Sequence, residues 1–226
     1  MFEQLLPTTI ASHIYEQLRR GIIEGEYRPG QPLREEELHE LHGSSRGPIR
    51  ESLRMLLQTG LVEHRPRRGF RVRAYTARDI RQIYRLRATL ESQLVAALHG
   101  RDLAPLIAPL EAGCAAMDAH YARSDLVSYF SENREFHQSI IDFADDRILR
   151  EVLEYVNEVS LPVRYRLLGD ALPSRRSLTY HERIVAHIKA GDIDAAQRLT
   201  EAHILENLEH AVAAFDRDTE ESATLT

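Results

Sequence analysis

The run Gly43-Ser44-Ser45-Arg46-Gly47-Pro48-Ile49-Arg50-Glu51-Ser52-Leu53-Arg54 carries two patterns at once. Ile49, Leu53 and Leu56 recur at helical spacing and form one apolar stripe, while Arg46, Arg50 and Arg54 fall at i, i+4 and i+8 on another face. Gly43 is a natural end for a preceding helix, and Ser44-Ser45 offers an N-cap for a helix over 46–59. Pro48 is tolerated there because first-turn amides have no acceptor within the helix. Such a helix can bury one side and lay the other in a DNA major groove, its N-terminal residues nearest the base edges. Ser44, Ser45 and the main-chain amides around them suit a phosphate, and Gly47 permits close approach.

Outward from this helix, the chain reads as a small helical domain with a hairpin. Ile10, Ile14, Leu18 and Ile22 predict a first helix capped by Thr8 or Thr9 and ended by Gly25. A short helix is expected over 34–42, with Leu38 and Leu41 inward. Downstream of Gly60, Leu61–His64 and Gly69–Arg73 predict two strands around a tip of Arg65, Pro66, Arg67 and Arg68. That tip can reach a neighbouring phosphate or the minor groove. The rest predicts only helices, over 78–99, 102–122, 125–143, 147–168, 175–190 and 192–216. Ile80, Tyr84, Leu90, Leu94 and Leu98 form the inner stripe of the first. Breakers are expected at Gly100, Pro162, Gly169, Pro173 and Gly191, and 218–226 reads as a frayed polar tail.

Charge divides the chain at the same place. The whole has 226 residues and a net charge of −6, yet residues 1–74 balance to +2 and residues 75–226 to −8. Within 44–74, eight arginines face only Glu51 and Glu63. Arginine supplies 28 of the 29 positive charges, and its planar fork matches phosphates and guanine edges. A nucleic-acid-facing segment joined to an acidic domain is the expected organisation. Apolar runs such as 94–98 are too short to span a membrane, and the amino terminus lacks signal-peptide character. Cys114 is the only cysteine, which excludes an internal disulfide and a multi-cysteine zinc site and fits a reducing cytoplasm.

Arg28-Pro-Gly-Gln-Pro-Leu33, Glu37-Leu38, Gly43–Leu53, Gly60-Leu-Val62 and Arg68-Gly-Phe-Arg-Val72 together resemble the winged helix-turn-helix of GntR-type bacterial transcription regulators. The resemblance implies base or phosphate contacts from Ser45, Arg46, Gly47 and Arg50, and wing contacts from Arg67, Arg68 and Gly69. Ser44 departs from the small apolar residue common in the family.

Histidine is the second unusual feature, with eleven in the chain. Asn133 and His137 are i, i+4 and share a helix face. His181 lies ten residues before Gly191 and His203 eleven after Asp192. If those helices fold back antiparallel, the two imidazoles sit at similar depth. Three imidazoles and an amide oxygen inside a bundle can hold a divalent transition metal with an open position. His181-Glu182 does not begin a metalloprotease motif, since the next histidine, His187, is six residues on.

Asn133-Arg-Glu-Phe-His137, His181-Glu-Arg-Ile184, Gly191-Asp192, Ala196 and His203 resemble the effector-binding (FCD) domain of the FadR-type branch of the same regulators. The resemblance implies that Asn133, His137, His181 and His203 ligate a metal, where many relatives have aspartate at the first position. Zinc or nickel suits imidazoles better than calcium or magnesium. It further implies an organic-acid effector, with Arg87, Asn157, Arg164 and Arg166 as candidate polar liners.

The expected protein is mainly α, with a winged helix-turn-helix at 1–74 and an antiparallel all-helical bundle at 76–218. It is read as a cytoplasmic transcription regulator, a repressor by the commoner family pattern, and not as an enzyme. As a homodimer it would bind a pseudo-palindromic double-stranded operator and release or engage it when a carboxylate-like effector binds. Two alternatives share the histidine set. One is a pure metal sensor. The other is a metal-dependent enzyme, which lacks an obvious base because Glu135 and Glu182 point away from the cluster.

Overall fold

Thr9 caps the first helix: its Oγ1 accepts from the Ser12 amide at 3.1 Å. The computed structural model describes residues 9–167 and 171–224, and the side chains of all these except 171–174 and 214–224. Thr8 and Gly169 therefore lie outside the described residues. The chain folds as two units, Met1–Tyr75 and Thr76–Thr226.

In the first unit, α1 (Ile10–Glu24), α2 (Glu35–His42) and α3 (Arg46–Gln58) pack beside a three-stranded antiparallel sheet. Gly25 and Gly43 end α1 and α2 in left-handed conformations that cost glycine nothing. Ile49, Leu53 and Leu56 of α3 are fully buried with Ile14, Leu18, Ile22 and Leu38. Burial of each stabilises the unit by about 1.5–3 kcal/mol. Arg46, Arg50 and Arg54 stay exposed on the other side of α3.

The hairpin pairs β2 (Val62–Arg65) with β3 (Gly69–Val72), Arg65 opposite Gly69. A third strand, β1 (Pro32–Leu33), pairs with the other edge of β3 and was not expected. Two residues give no alternation to read, and a proline is tolerated only on such an edge. Leu41 is a second departure. It is 68% exposed, because eight residues of α2 bring only the turn around Leu38 onto the core.

The second unit contains α4 (Ala77–Ala96), α5 (Ala104–Ala122), α6 (Leu126–Ala144), α7 (Arg147–Arg166), α8 (Ala171–Lys189) and α9 (Ile193–Thr224). The described residues thus form nine helices and one small sheet, a mainly α chain. Thr76 and Asp79 form a reciprocal capping box at the start of α4. α4 packs on α9 and α7, α5 on α6 and α8, and α8 on α9, around a core that includes Leu94, Leu110, Phe136, Leu153 and Ile184.

Pro162 does not break α7 but sits inside it. One lost backbone hydrogen bond is outweighed by burial of the flanking Leu161 and Val163. Pro173 likewise falls inside α8, in its first turn, where no helical acceptor is lost. At the carboxyl end α9 continues to Thr224, so the expected frayed tail is helical as far as it is described. Gly191, with φ of 75°, makes the turn between α8 and α9.

Candidate nucleic-acid interface and metal centre

Ser45 is the N-cap residue of α3 by its extended backbone, although its side chain makes no capping bond. Arg46 and Gly47 follow it in the first turn. A Cβ built on Gly47 meets nothing within 4 Å, and its φ is not positive. No contact within the chain requires glycine there. Arg46 lines a groove of about 790 Å³ together with Glu36, His64, Arg67, Arg68 and Gly69. The start of α3 and the wing thus share one concave surface. At the wing tip, Arg67 has φ of 64°, a strained value for a residue with a Cβ.

Two arginines of α3, Arg46 and Arg50, have acidic partners that the sequence did not suggest. Arg50 donates from Nε to Glu35 Oε1 at 3.1 Å and from Nη2 to Glu35 Oε2 at 2.8 Å. That hydrogen-bonded fork, with the surrounding positive charge, lowers the Glu35 carboxyl despite partial burial. Arg46 Nη2 lies 3.5 Å from Glu36 Oε1, both side chains well exposed. Glu35 and Glu36 open α2, where carboxylates also complement the helix dipole. Three acids in one helix start conceal which of them cross to α3. The His39 ring contacts the Ser44 carbonyl, tying α2 to the turn before α3.

In the second unit, α6, α8 and α9 bring His137, His181 and His203 together. The His181 Nε2 lies 3.1 Å from that of His203 and 3.3 Å from that of His137. One ligand atom from each ring falls within 4.8 Å of the others, and all three residues are buried. His137 Nδ1 sits 2.8 Å from Glu91 Oε2. A carboxylate there is an acceptor for an Nδ1 proton, and the Nε2 of that ring faces the cluster. Burial first, then the neighbouring histidines, holds His181 well below the usual imidazole range, and the same causes bring His203 down to about 3. Both rings are therefore neutral ligands at neutral pH.

This chemistry fits a cation. With the His137 Nε2 turned inward, a shared proton can serve at most one pair of nitrogens at a time. A divalent metal accepts lone pairs from all three. Glu91 is the residue that sequence reasoning missed. Burial alone would raise its carboxyl, but Arg87 and His137 outweigh that and hold it well below the usual range. Arg87 donates from Nη2 to Glu91 Oε1 at 2.7 Å and from Nε to Asn157 Oδ1 at 3.0 Å. The i, i+4 spacing of Arg87 and Glu91 on α4 was the available signal.

Asn133 lines the same cavity as His137 and His203, about 80 Å³ in volume. Its amide is engaged, donating to Ser177 Oγ at 3.3 Å and accepting from Arg164 Nη2 at 3.4 Å. Arg87 and Arg164 line this cavity and also a second one of about 200 Å³ that includes Asn157. Burial, then repulsion from Arg87, lowers Arg164 to about 9. That still leaves it a cation at neutral pH. Arg166 lines neither cavity, since two residues from Arg164 is more than half a turn round α7. Tyr129 adds a hydroxyl beside Ser177 and Asn133, and burial pushes it up to about 12.

A winged helix-turn-helix joined to a helical domain with a buried histidine cluster defines a class of protein, the two-domain DNA-binding transcription regulator. Residues 10–72 match the family model of bacterial regulatory proteins of the gntR family, and residues 82–206 match the FCD domain. The chain is 30% identical over 208 residues to the HTH-type transcriptional regulator YdhC of Bacillus subtilis, covering 90% of this chain and 92% of that one. It is 28% identical over 204 residues to the transcriptional repressor RspR of Escherichia coli, covering 90% of each. A solved GntR transcriptional regulator from Rhodococcus superposes with a TM-score of 0.72 at 25% identity, covering 90% of this chain and 98% of that one. The Escherichia coli McbR/YncC structure has the same fold, with a TM-score of 0.76 at 21% identity, covering 92% of this chain and 99% of that one. The chain belongs to the GntR family of bacterial transcription regulators and carries an FCD domain. Its relatives are regulators and not enzymes, which removes the enzymatic reading of the histidines. Among the described residues, no helix is long and apolar enough to cross a membrane.

Proposed function

We propose that this regulator is a repressor that binds a pseudo-palindromic operator as a homodimer and responds to a small carboxylate held at a metal centre in the FCD domain. His137, His181 and His203 hold a divalent transition metal, zinc or nickel, and Asn133 completes the set once its amide oxygen turns from Arg164. The observation that carries this reading is the convergence of three buried Nε2 atoms, with Glu91 Oε2 2.8 Å from His137 Nδ1 on the far side of that ring. When bound, the metal supplies a positive centre with open positions for a carboxylate. Arg87 and Arg164 add positive charge to the walls. The volume of about 80 Å³ suits an acid of a few heavy atoms rather than a long chain. At the other unit, Ser45, Arg46, Gly47 and Arg50 meet bases or phosphates in the major groove, and Arg67, Arg68 and Gly69 contact the adjoining backbone. The open space around Gly47 supports close approach by DNA. Effector binding favours one arrangement of the paired DNA heads, and its differential affinity sets the response.

A thermal-shift screen of the metal-loaded protein against small mono- and dicarboxylates tests the effector. The expected hit raises Tm and changes gel-shift affinity for DNA upstream of the protein's own gene. Stabilisation by metal with no response to any acid would replace this reading with a pure metal sensor.

A further inference from the structure

Asn133 differs from the three histidines in that its donor atom is already engaged. Its Oδ1 accepts from Arg164 Nη2 at 3.4 Å, and its Nδ2 donates to Ser177 Oγ at 3.3 Å. Arginine only donates, so the amide atom that faces it must be the oxygen. The Ser177 and Tyr129 hydroxyls hold the nitrogen side. An aspartate in this place could give one oxygen to Arg164 and the other to a cation, whereas an amide has a single oxygen for both. Arg164 is itself loosely held. Among the described residues its guanidinium makes that one long hydrogen bond and lies over the Phe130 ring, 5.4 Å from the centroid. It lines the same cavity of about 80 Å³ as Asn133, His137 and His203. A carboxylate entering there offers two charged acceptors to a planar fork, and such charge-assisted bonds are about twice as strong as those to a neutral amide.

We propose that Arg164 is a latch on Asn133, so that a carboxylate and the metal each strengthen the binding of the other. With no acid in the cavity, Arg164 keeps the Asn133 oxygen from the three histidines. A carboxylate draws the guanidinium to itself and frees that oxygen to join His137, His181 and His203. Linkage makes the effect reciprocal, the metal helping the acid as much as the acid helps the metal. Arg164 is thus a positioning residue that acts on the metal through Asn133. The latch rests on the metal and carboxylate reading above and adds the coupling between the two ligands.

The test is the zinc affinity of the full chain, measured by competition with a chromogenic chelator at matched ionic strength, with and without acetate. Wild type is expected to bind zinc at least about fivefold more tightly when acetate is present. Without acetate, Arg164→Met is expected to bind zinc roughly tenfold more tightly than wild type, and this gain should shrink to about twofold or less when Asn133→Ala is added. Asn133→Ala alone keeps Arg164 and the cavity, yet should lose most of the acetate response. Asn133→Asp, with an oxygen for each partner, is expected to bind zinc tightly whether or not acetate is present, which also shows that the site withstands substitution. An equal gain from Arg164→Met in both backgrounds would reduce Arg164 to a nearby charge and overturn the latch. An acetate response left whole in Asn133→Ala would do the same, since acetate would then act on the metal without the amide. Zinc binding by wild type with no acetate response would overturn the latch and leave the metal centre standing. A wild type that takes no zinc would overturn both.

Discussion

The arginine face of α3 and the histidine cluster of the FCD domain are opposite solutions to holding polar groups ready. On α3 the groups are exposed and already paired with acids of the same unit, Arg50 with Glu35 and Arg46 with Glu36. Exchange of those partners for DNA costs little, because ion pairs in water are weak. In the helical domain the groups are buried, and one of them, His137, lies against Glu91, which is itself paired with buried Arg87. Loss of one member there leaves others unsatisfied in a medium that penalises it. The first site tolerates change in the free protein and loses only recognition, whereas the second couples recognition to stability.

The largest expected effect separates the two. Stripping metal with a chelator should lower the stability of the helical domain by about 4 kcal/mol if free metal had stood a thousandfold above its dissociation constant. Differential scanning calorimetry reads this as a Tm shift of roughly 10 °C. Equal destabilisation of the winged domain would break the contrast. Next in size, Arg46→Ala should weaken binding to upstream DNA roughly ten- to a hundredfold in a gel-shift titration while leaving Tm in place. A fall in Tm with unchanged DNA affinity would make Arg46 a structural residue.

Glu91→Gln sharpens the buried side. Removal of the carboxylate that orients His137 should weaken metal affinity by about ten- to a hundredfold in a competition titration with a chromogenic chelator. Unchanged affinity would deny Glu91 that role. The smallest effect has two signs. Gly47→Ala adds a Cβ into open space, so the free protein should gain roughly 0.5–1 kcal/mol from better helix propensity. DNA binding should nonetheless fall, because the added methyl meets the backbone that approaches there. Improved stability together with full DNA affinity would remove Gly47 from the interface.

Much of the architecture was legible because local rules and tertiary packing agree. The stripe of Ile49, Leu53 and Leu56 is the buried face of α3, and Gly43 ends α2 in the conformation only glycine adopts freely. The similar distances of His181 and His203 from the Gly191 turn correspond to imidazoles 3.1 Å apart. The features that the sequence does not show depend on contacts distant in sequence. β1 exists only through its pairing with β3, and Pro162 stays helical because of what surrounds α7. Glu91 acquires its place only when α4 is set against α6, and Glu35 only when α2 is set against α3. Arg166 shows the limit of composition as a guide, since a cationic side chain two residues from Arg164 faces elsewhere.

The most direct test of the central claim is elemental analysis of the purified full-length regulator beside a variant with His137, His181 and His203 all changed to alanine. About one equivalent of zinc or nickel per chain is expected in the wild type and none in the variant. A wild type without bound transition metal, or a variant that retains it, would contradict it.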